Sequence, residues 1–525
     1  MNEPTYLKPW LANCGLGIRI MVFLVLLSSI SQLGTFSLSQ NYMIAYLGAQ
    51  PEDITFAILI AFVGFLVNLP LAFRFLRYFE IRSYLTVNLI LQIVLSIACW
   101  RTTDIDLFFI FRFLQGICIC SVCVSMLVVI LSVLTVDVRQ VIGPTVFYGT
   151  VLSSTVLIGL VAANVSQSTD IRNLYVWHIL FQVCILGLVL LTFNSRSNIR
   201  RYPLYQIDWP GCIFFVSAAG CLAYTLIYGS RNYWFEDQRI RISATIAISG
   251  ALLFLWRQSV IKRPLANLRV FRNRNFVTGL FLLAMYYGMK ESINLIYGYT
   301  AAVLQWSQPR IIQLGLCNIT GLVISMAITG QLLVRYRQAT LQFMIAGLSV
   351  LMFYHWWMYR LFTPDLSFNN LVFPMFLQGV ASGMLFVPIS FFLITSVPPE
   401  MGTTPLFIAA NTRVISLLNA SAGFYNLQLY YNQLYKESFL NHLTAVDQQT
   451  SEQLDRLGKF FVGKGFSPDQ AAHMANNSLY RTMEIHSQLL TDRAIFFLLA
   501  VFISIVVILA LLGYLYRLLY VAKYQ

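Results

Sequence analysis

At 525 residues, with 58% hydrophobic and 11% charged side chains and a mean hydropathy of +0.70, the chain carries more apolar surface than one water-soluble core can hide. The composition excludes a soluble globular enzyme and implies a polytopic membrane protein. A formal charge of +14 would suit nucleic acid, but the basic residues cluster between apolar runs, which is a membrane pattern instead.

A helix needs about 20 apolar residues to cross a bilayer. Such runs begin near Ile18, Ile54, Tyr84, Leu107, Ile142, Leu174, Pro210, Ile242, Phe276, Ile311, Thr340, Leu371, Pro405 and Ala494, which predicts fourteen spans and both termini on one side. The first run is a full span with no small-residue cleavage pattern behind it, so it reads as a span and not a cleavable signal. Arg74, Arg77 and Arg82 follow the second span, Arg196, Arg200 and Arg201 the sixth, and Arg257, Lys262, Arg263, Arg269, Arg272 and Arg274 the eighth. The positive-inside rule then expects these connections and both termini in the cytoplasm, although Arg231, Arg239 and Arg241 run against the trend. The nine cysteines, from Cys14 to Cys317, form no spaced metal set, so neither a zinc site nor a disulfide framework is expected.

The tetrapeptide Phe-Leu-Gln-Gly occurs at Phe113 to Gly116, in the fourth run, and again at Phe376 to Gly379, in the twelfth. Its spacing predicts two six-span halves, 1–193 and 276–525, separated by a linker, 194–275, that carries an inserted helical pair. Internally repeated bundles place a transport site between their halves. A polar stretch, 431–492, separates the last two spans and is expected outside the membrane, as a lid or as a docking surface.

The ordered motifs resemble one family. Phe109 to Gly116 reads F-I-F-R-F-L-Q-G, Asp208 to Gly211 reads D-W-P-G, Arg263-Pro264-Leu265 leads to Phe271 to Phe276, and Pro398-Pro399-Glu400 is followed by Asn411-Thr412-Arg413. In this order they resemble the major facilitator superfamily, specifically its fourteen-span drug/proton antiporter branch typified by EmrB and QacA. The resemblance implies an all-α polytopic major facilitator fold with 14 transmembrane helices (6 + 2 + 6), in which Gln115, Gly116, Gln378, Gly379, Asp208 and Arg413 are structural motif positions. It also associates Arg112 with proton coupling. Three departures bear on mechanism. Gln32 stands where these exporters usually carry an Asp in the first helix, the loop Phe73 to Arg82 keeps its arginines without the Asp or the glycines, and the fifth-helix pattern is reduced to Gly159-Leu160 and Ala162-Ala163.

Burying an ionisable group at mid-membrane costs at least about 2.5 kcal/mol, so each one needs a reason to be there. Glu291 is the carboxylate placed deepest in a span, with Lys290 beside it. Tyr287, Lys290, Glu291, Asn294 and Tyr297 recur at spacings of three and four, a face expected to line the cavity. Glu291 would then carry a proton that substrate binding discharges, or the pair would lock helices permanently. Ser28, Gln32 and Thr35 form a neutral polar stripe on the first span, and Ser416 and Asn419 belong to a similar stripe on the thirteenth; either can bind substrate or join helices. Arg413 reads as an interfacial anchor, Arg112 as a coupling or a snorkelling arginine, and His178 and His355 as structural.

These readings converge on a secondary active transporter, not an enzyme, that moves small amphipathic compounds or drugs outward by proton-coupled alternating access. It needs a proton gradient and no cofactor or metal, and sits in the plasma membrane (the inner membrane of a Gram-negative cell). The resemblance adds a periplasmic adaptor and an outer-membrane channel as partners. The alternative is a transport-inactive scaffold or sensor that keeps the fold while its coupling motifs have drifted.

Overall fold

The computed structural model describes residues 6–12, 14–38, 40–168, 171–194, 204–229, 231–442 and 448–524, without some side chains, chiefly those of 34–42 and 160–172. Helices dominate, because a chain in hydrocarbon has to satisfy its backbone polar groups within each segment. Among the described residues the β structure is one isolated bridge, Leu7 to Phe193.

Twelve described helices are long and apolar enough to cross a membrane. Eight of them, Gly15–Leu38, Pro51–Leu76, Ile81–Arg101, Ile105–Val133, Val136–Ser168, Ile171–Thr192, Trp209–Tyr228 and Gln238–Val260, coincide with the first eight predicted spans. Gln308–Arg335, Thr340–Leu361 and Phe368–Thr395 coincide with the tenth to twelfth, and Pro468–Tyr524 contains the fourteenth. The ninth and thirteenth predicted spans are helical as well. The ninth is broken into Arg274–Lys290 and Ile293–Ala302, and the thirteenth continues from Thr404 to His442, into the polar stretch. Helix starts follow local chemistry: Asp104 and Asp237 accept from the amides of Asp106 (2.9 Å) and Arg239 (2.7 Å), and Pro51 opens the second span.

The chain divides into two compact units, interleaved in sequence. The first comprises Met1–Leu283, Met326–Thr340 and Phe386–Val414, and the second Ala284–Ser325, Leu341–Leu385 and Ile415–Gln525. Each contains one copy of the repeat, built the same way. In the first unit a Cβ on Gly116 would overlap the carbonyl oxygen of Ala61, and one on Gly64 that of Phe113. In the second, a Cβ on Gly379 would overlap the carbonyl of Asn318, and one on Gly321 that of Phe376. The second and fourth spans, and likewise the tenth and twelfth, approach so closely that only glycine fits at the crossing.

The inserted pair, the seventh and eighth spans, is pinned within the first unit at both ends. Buried Asp208 caps the seventh span on the Gly211 amide (3.1 Å), accepts from Arg257 Nε (2.6 Å) and takes the Gln258 amide (3.0 Å). Gln258 Oε1 in turn accepts from the amides of Leu265 (2.6 Å) and Ala266 (3.2 Å). At the other end the Tyr228 hydroxyl donates to Asp53 Oδ1 (2.6 Å), at the start of the second span.

Candidate functional site

In the first unit, polar side chains of the first, third, fourth and sixth spans meet in one buried network. The Gln32 amide donates to Ser96 Oγ (2.8 Å), Ser29 donates to Gln92 Oε1 (3.2 Å), and Ser96 Oγ lies 3.3 Å from Gln182 Oε1. Gln32, Gln92, Ser96 and Gln182 are all buried. Arg112 is fully buried and donates from Nη1 to the Gln32 carbonyl (3.1 Å) and to Gln115 Oε1 (2.8 Å). Both acceptors are neutral oxygens. Ser31 gives its hydrogen to the Ser28 carbonyl (2.5 Å), so the 3.1 Å contact between Ser31 Oγ and His178 Nδ1 makes Nδ1 the donor and assigns the lone pair to Nε2.

In the second unit the ninth span stops at Lys290 and resumes at Ile293. Across the break the backbone tightens to three-residue bonds, Ser292 N to Met289 O (3.2 Å) and Asn294 N to Glu291 O (3.0 Å). Glu291 Oε2 accepts from Asn294 Nδ2 (2.7 Å), just ahead of a helix N-terminus, where the dipole favours the carboxylate. The Lys290 carbonyl accepts from Gln378 Nε2 (3.4 Å), and Gln378 Oε1 accepts from Asn318. Buried Ser292 meets His355 Nε2 (3.2 Å); since His355 Nδ1 can only donate to the Leu351 carbonyl (2.8 Å), Nε2 of the neutral ring accepts the serine hydrogen.

The repeat thus reaches the site. Arg112, one residue before the first Phe-Leu-Gln-Gly, donates to a carbonyl of the first span; Gln378, inside the second copy, donates to a carbonyl of the ninth. Gln32 and Lys290 are the residues so contacted, one in each compact unit.

The other expected residues divide between the units. Ser28 is buried and bonded to the Val25 carbonyl (3.3 Å), and the Thr35 side chain lies outside the described residues, as do those of Leu160, Ala162 and Ala163. Tyr287 is buried against Tyr286 at 4.9 Å, whereas Tyr297, Lys290 and Glu291 are half-buried and Asn294 is exposed. The face read from Tyr287 to Tyr297 as one helix is therefore split at Glu291, with Asn294 rejoining it through its side chain. In the thirteenth span Ser416 is buried, Asn419 exposed and Arg413 half-buried. Sequence reasoning missed Gln92, Ser96, Gln182 and Asn318. The available signal was two polar pairs at helical spacing within apolar runs, Gln92 with Ser96 and His178 with Gln182. Among the described residues no group of three or more His, Cys, Asp or Glu side chains could hold a metal ion.

The comparisons with known proteins agree with this architecture. The Multidrug export protein EmrB of Escherichia coli (strain K12) is 24% identical over 258 residues, 47% of this chain and 49% of that protein. The Probable multidrug resistance protein EmrY of the same strain is 22% identical over 378 residues, 67% of this chain and 68% of that protein. The chain spans about half the length of the EmrB relatives it matches. A solved POT family transporter in complex with 5-aminolevulinic acid shares the fold, with a TM-score of 0.55 at 12% identity over 78% of this chain and 90% of that one. A family model described as Major Facilitator Superfamily matches residues 21–420, and the chain belongs to that family.

Proposed function

We propose that the protein is a secondary active transporter that exports small amphipathic compounds in exchange for protons, with 1–193 and 276–525 as the two halves of an alternating-access machine. The observation that carries this reading is the break in the ninth span, which puts Lys290 and Glu291 within an otherwise apolar segment. Interrupted membrane helices free backbone groups and helix ends for ions and substrates. Glu291 is the proton carrier in this scheme. A proton arriving from outside neutralises its carboxylate, and a cationic or polar substrate entering from the cytoplasm favours the ionised form, so the two compete for one site. Arg112 and the glutamine network position the first span, and Gln378 holds the released Lys290 carbonyl. The relatives' names supply the substrate class, multidrug export.

In this scheme the basic connections and both termini lie in the cytoplasm, with the membrane being the plasma or inner membrane. The helical hairpin after the thirteenth span then faces outward, where an adaptor would dock.

The test is gradient-driven movement of ethidium in vesicles that contain the purified protein. The wild type is expected to move the dye only with an imposed pH gradient, and Glu291→Gln to lower that movement at least about a hundredfold, the lower end of the range for loss of one proton-transfer group. Undiminished gradient-driven transport by Glu291→Gln would sink the assignment.

A further inference from the structure

The fourteenth span holds a feature that the transport reading leaves unused. Its helix, Pro468–Tyr524, has 57 residues, about 85 Å at 1.5 Å per residue, so only part of it lies in hydrocarbon. The apolar run begins at Ala494, which places Arg493 at the boundary between polar and apolar surroundings. Beside Arg493 opens a cavity of about 710 Å³, lined at its polar end by Tyr359, Tyr431 and Tyr435 and along the next turns by Phe497 and Val501. A second cavity, of about 420 Å³, shares Arg493 and adds His486. All of these residues belong to the second unit.

The charge in this place is positive and partly unspent. Arg493 Nε donates to the Tyr359 carbonyl (3.3 Å) and the guanidinium lies 5.4 Å from the Tyr359 ring centroid, while its two terminal nitrogens make no hydrogen bond among the described residues. The neighbouring carboxylate does not neutralise it: Asp492 is fully buried, is held by Gln488 at 3.2 Å, and lines neither cavity. Glu484 is paired with Lys436 at 3.0 Å. Phe497 and its neighbour Leu498 are exposed on the flank of the span, so the apolar end of the cavity is continuous with the surface that faces hydrocarbon. A guanidinium with free parallel N–H groups above an aromatic and aliphatic wall fits a phosphate that carries an acyl chain.

We propose that this cavity binds an anionic phospholipid of the surrounding bilayer, its phosphate on Arg493 and an acyl chain along Phe497 and Val501. Trp356 reports on the site, with its ring centroid 5.9 Å from that of Phe497 and 6.0 Å from that of Tyr359. In phosphatidylcholine vesicles, brominated phosphatidylglycerol is expected to quench the Trp356 component, defined by difference from Trp356→Phe, at about fivefold lower mole fraction than brominated phosphatidylcholine. Arg493→Gln removes that preference and Arg493→Lys keeps most of it. Quenching by brominated phosphatidylcholine stays the same in both variants, which reports that they insert and fold. Equal quenching by the two lipids in the wild type, or an unchanged preference in Arg493→Gln, overturns the proposal. So does loss of the preference on adding millimolar inorganic phosphate, which would make the site one for a free anion.

Discussion

Arg112 is the residue where burial and chemistry conflict most. A guanidinium taken out of water carries a desolvation penalty of several kcal/mol, and the oxygens that receive Arg112, on Gln32 and Gln115, are neutral. Two hydrogen bonds from a charged donor return about 3–6 kcal/mol, close to the penalty. These two bonds therefore offset the penalty without a large surplus. Arg112→Met removes the penalty with the bonds and leaves Gln115 Oε1 without its donor, so the expected net loss is no more than about 1–3 kcal/mol in the thermal or denaturant stability of the purified protein. Gradient-driven transport should fall by more than that change explains. A collapse in stability with transport per folded molecule intact would instead make Arg112 structural. Arg112→Lys is not a conservative control, because one ammonium on a flexible stem cannot hold both acceptors as a planar fork does.

At the scale of elements, the spans were legible because about 20 apolar residues in a row leave few other structures open. The break in the ninth span was not. No proline or glycine stands at Lys290, Glu291 or Ser292, and the groups at the break are held from other spans: His355 accepts from the Ser292 hydroxyl and Gln378 donates to the Lys290 carbonyl. Contacts made across spans leave no periodic trace in one sequence, which is also why Gln92, Ser96 and Gln182 were not joined to Gln32 in advance. Ser292→Ala tests how much the partner contributes. Ser292 lies between the two helices, at the N-cap of the second, so alanine gains no interior helix propensity there, whereas a fully buried His355 Nε2 deprived of its donor costs about 1–3 kcal/mol. The loss wins, so Ser292→Ala should melt earlier than wild type while Ser292→Thr, which keeps the hydroxyl, melts close to it. Equal melting of Ser292→Ala and wild type would show that the break does not depend on His355.

For the whole molecule, the repeated tetrapeptide is a statement about packing first and chemistry second. Gly116 and Gly379 sit at equivalent crossings in different compact units, each against a backbone carbonyl, of Ala61 and of Asn318. A backbone carbonyl cannot rotate aside as the tip of a side chain can, so an added methyl has to separate two spans. Overpacking of this kind costs about 1–3 kcal/mol, more than the roughly 1 kcal/mol that Gly to Ala gains in a helix. Gly116→Ala and Gly379→Ala are therefore both expected to lower the melting temperature of the purified protein. Because the two crossings are built from different residues in different compact units, the double substitution should lose the sum of the single losses, within about 0.5 kcal/mol. Gly187 and Gly513 provide the contrast, since a Cβ there meets nothing within 4 Å. Their alanine variants should melt at or above the wild-type temperature. If all four variants behaved alike, the motif would owe its recurrence to something other than close approach. If Gly116→Ala and Gly379→Ala alone fell, the twin motif would be fixed as the crossing that positions Arg112 against Gln32 in one unit and Gln378 against Lys290 in the other.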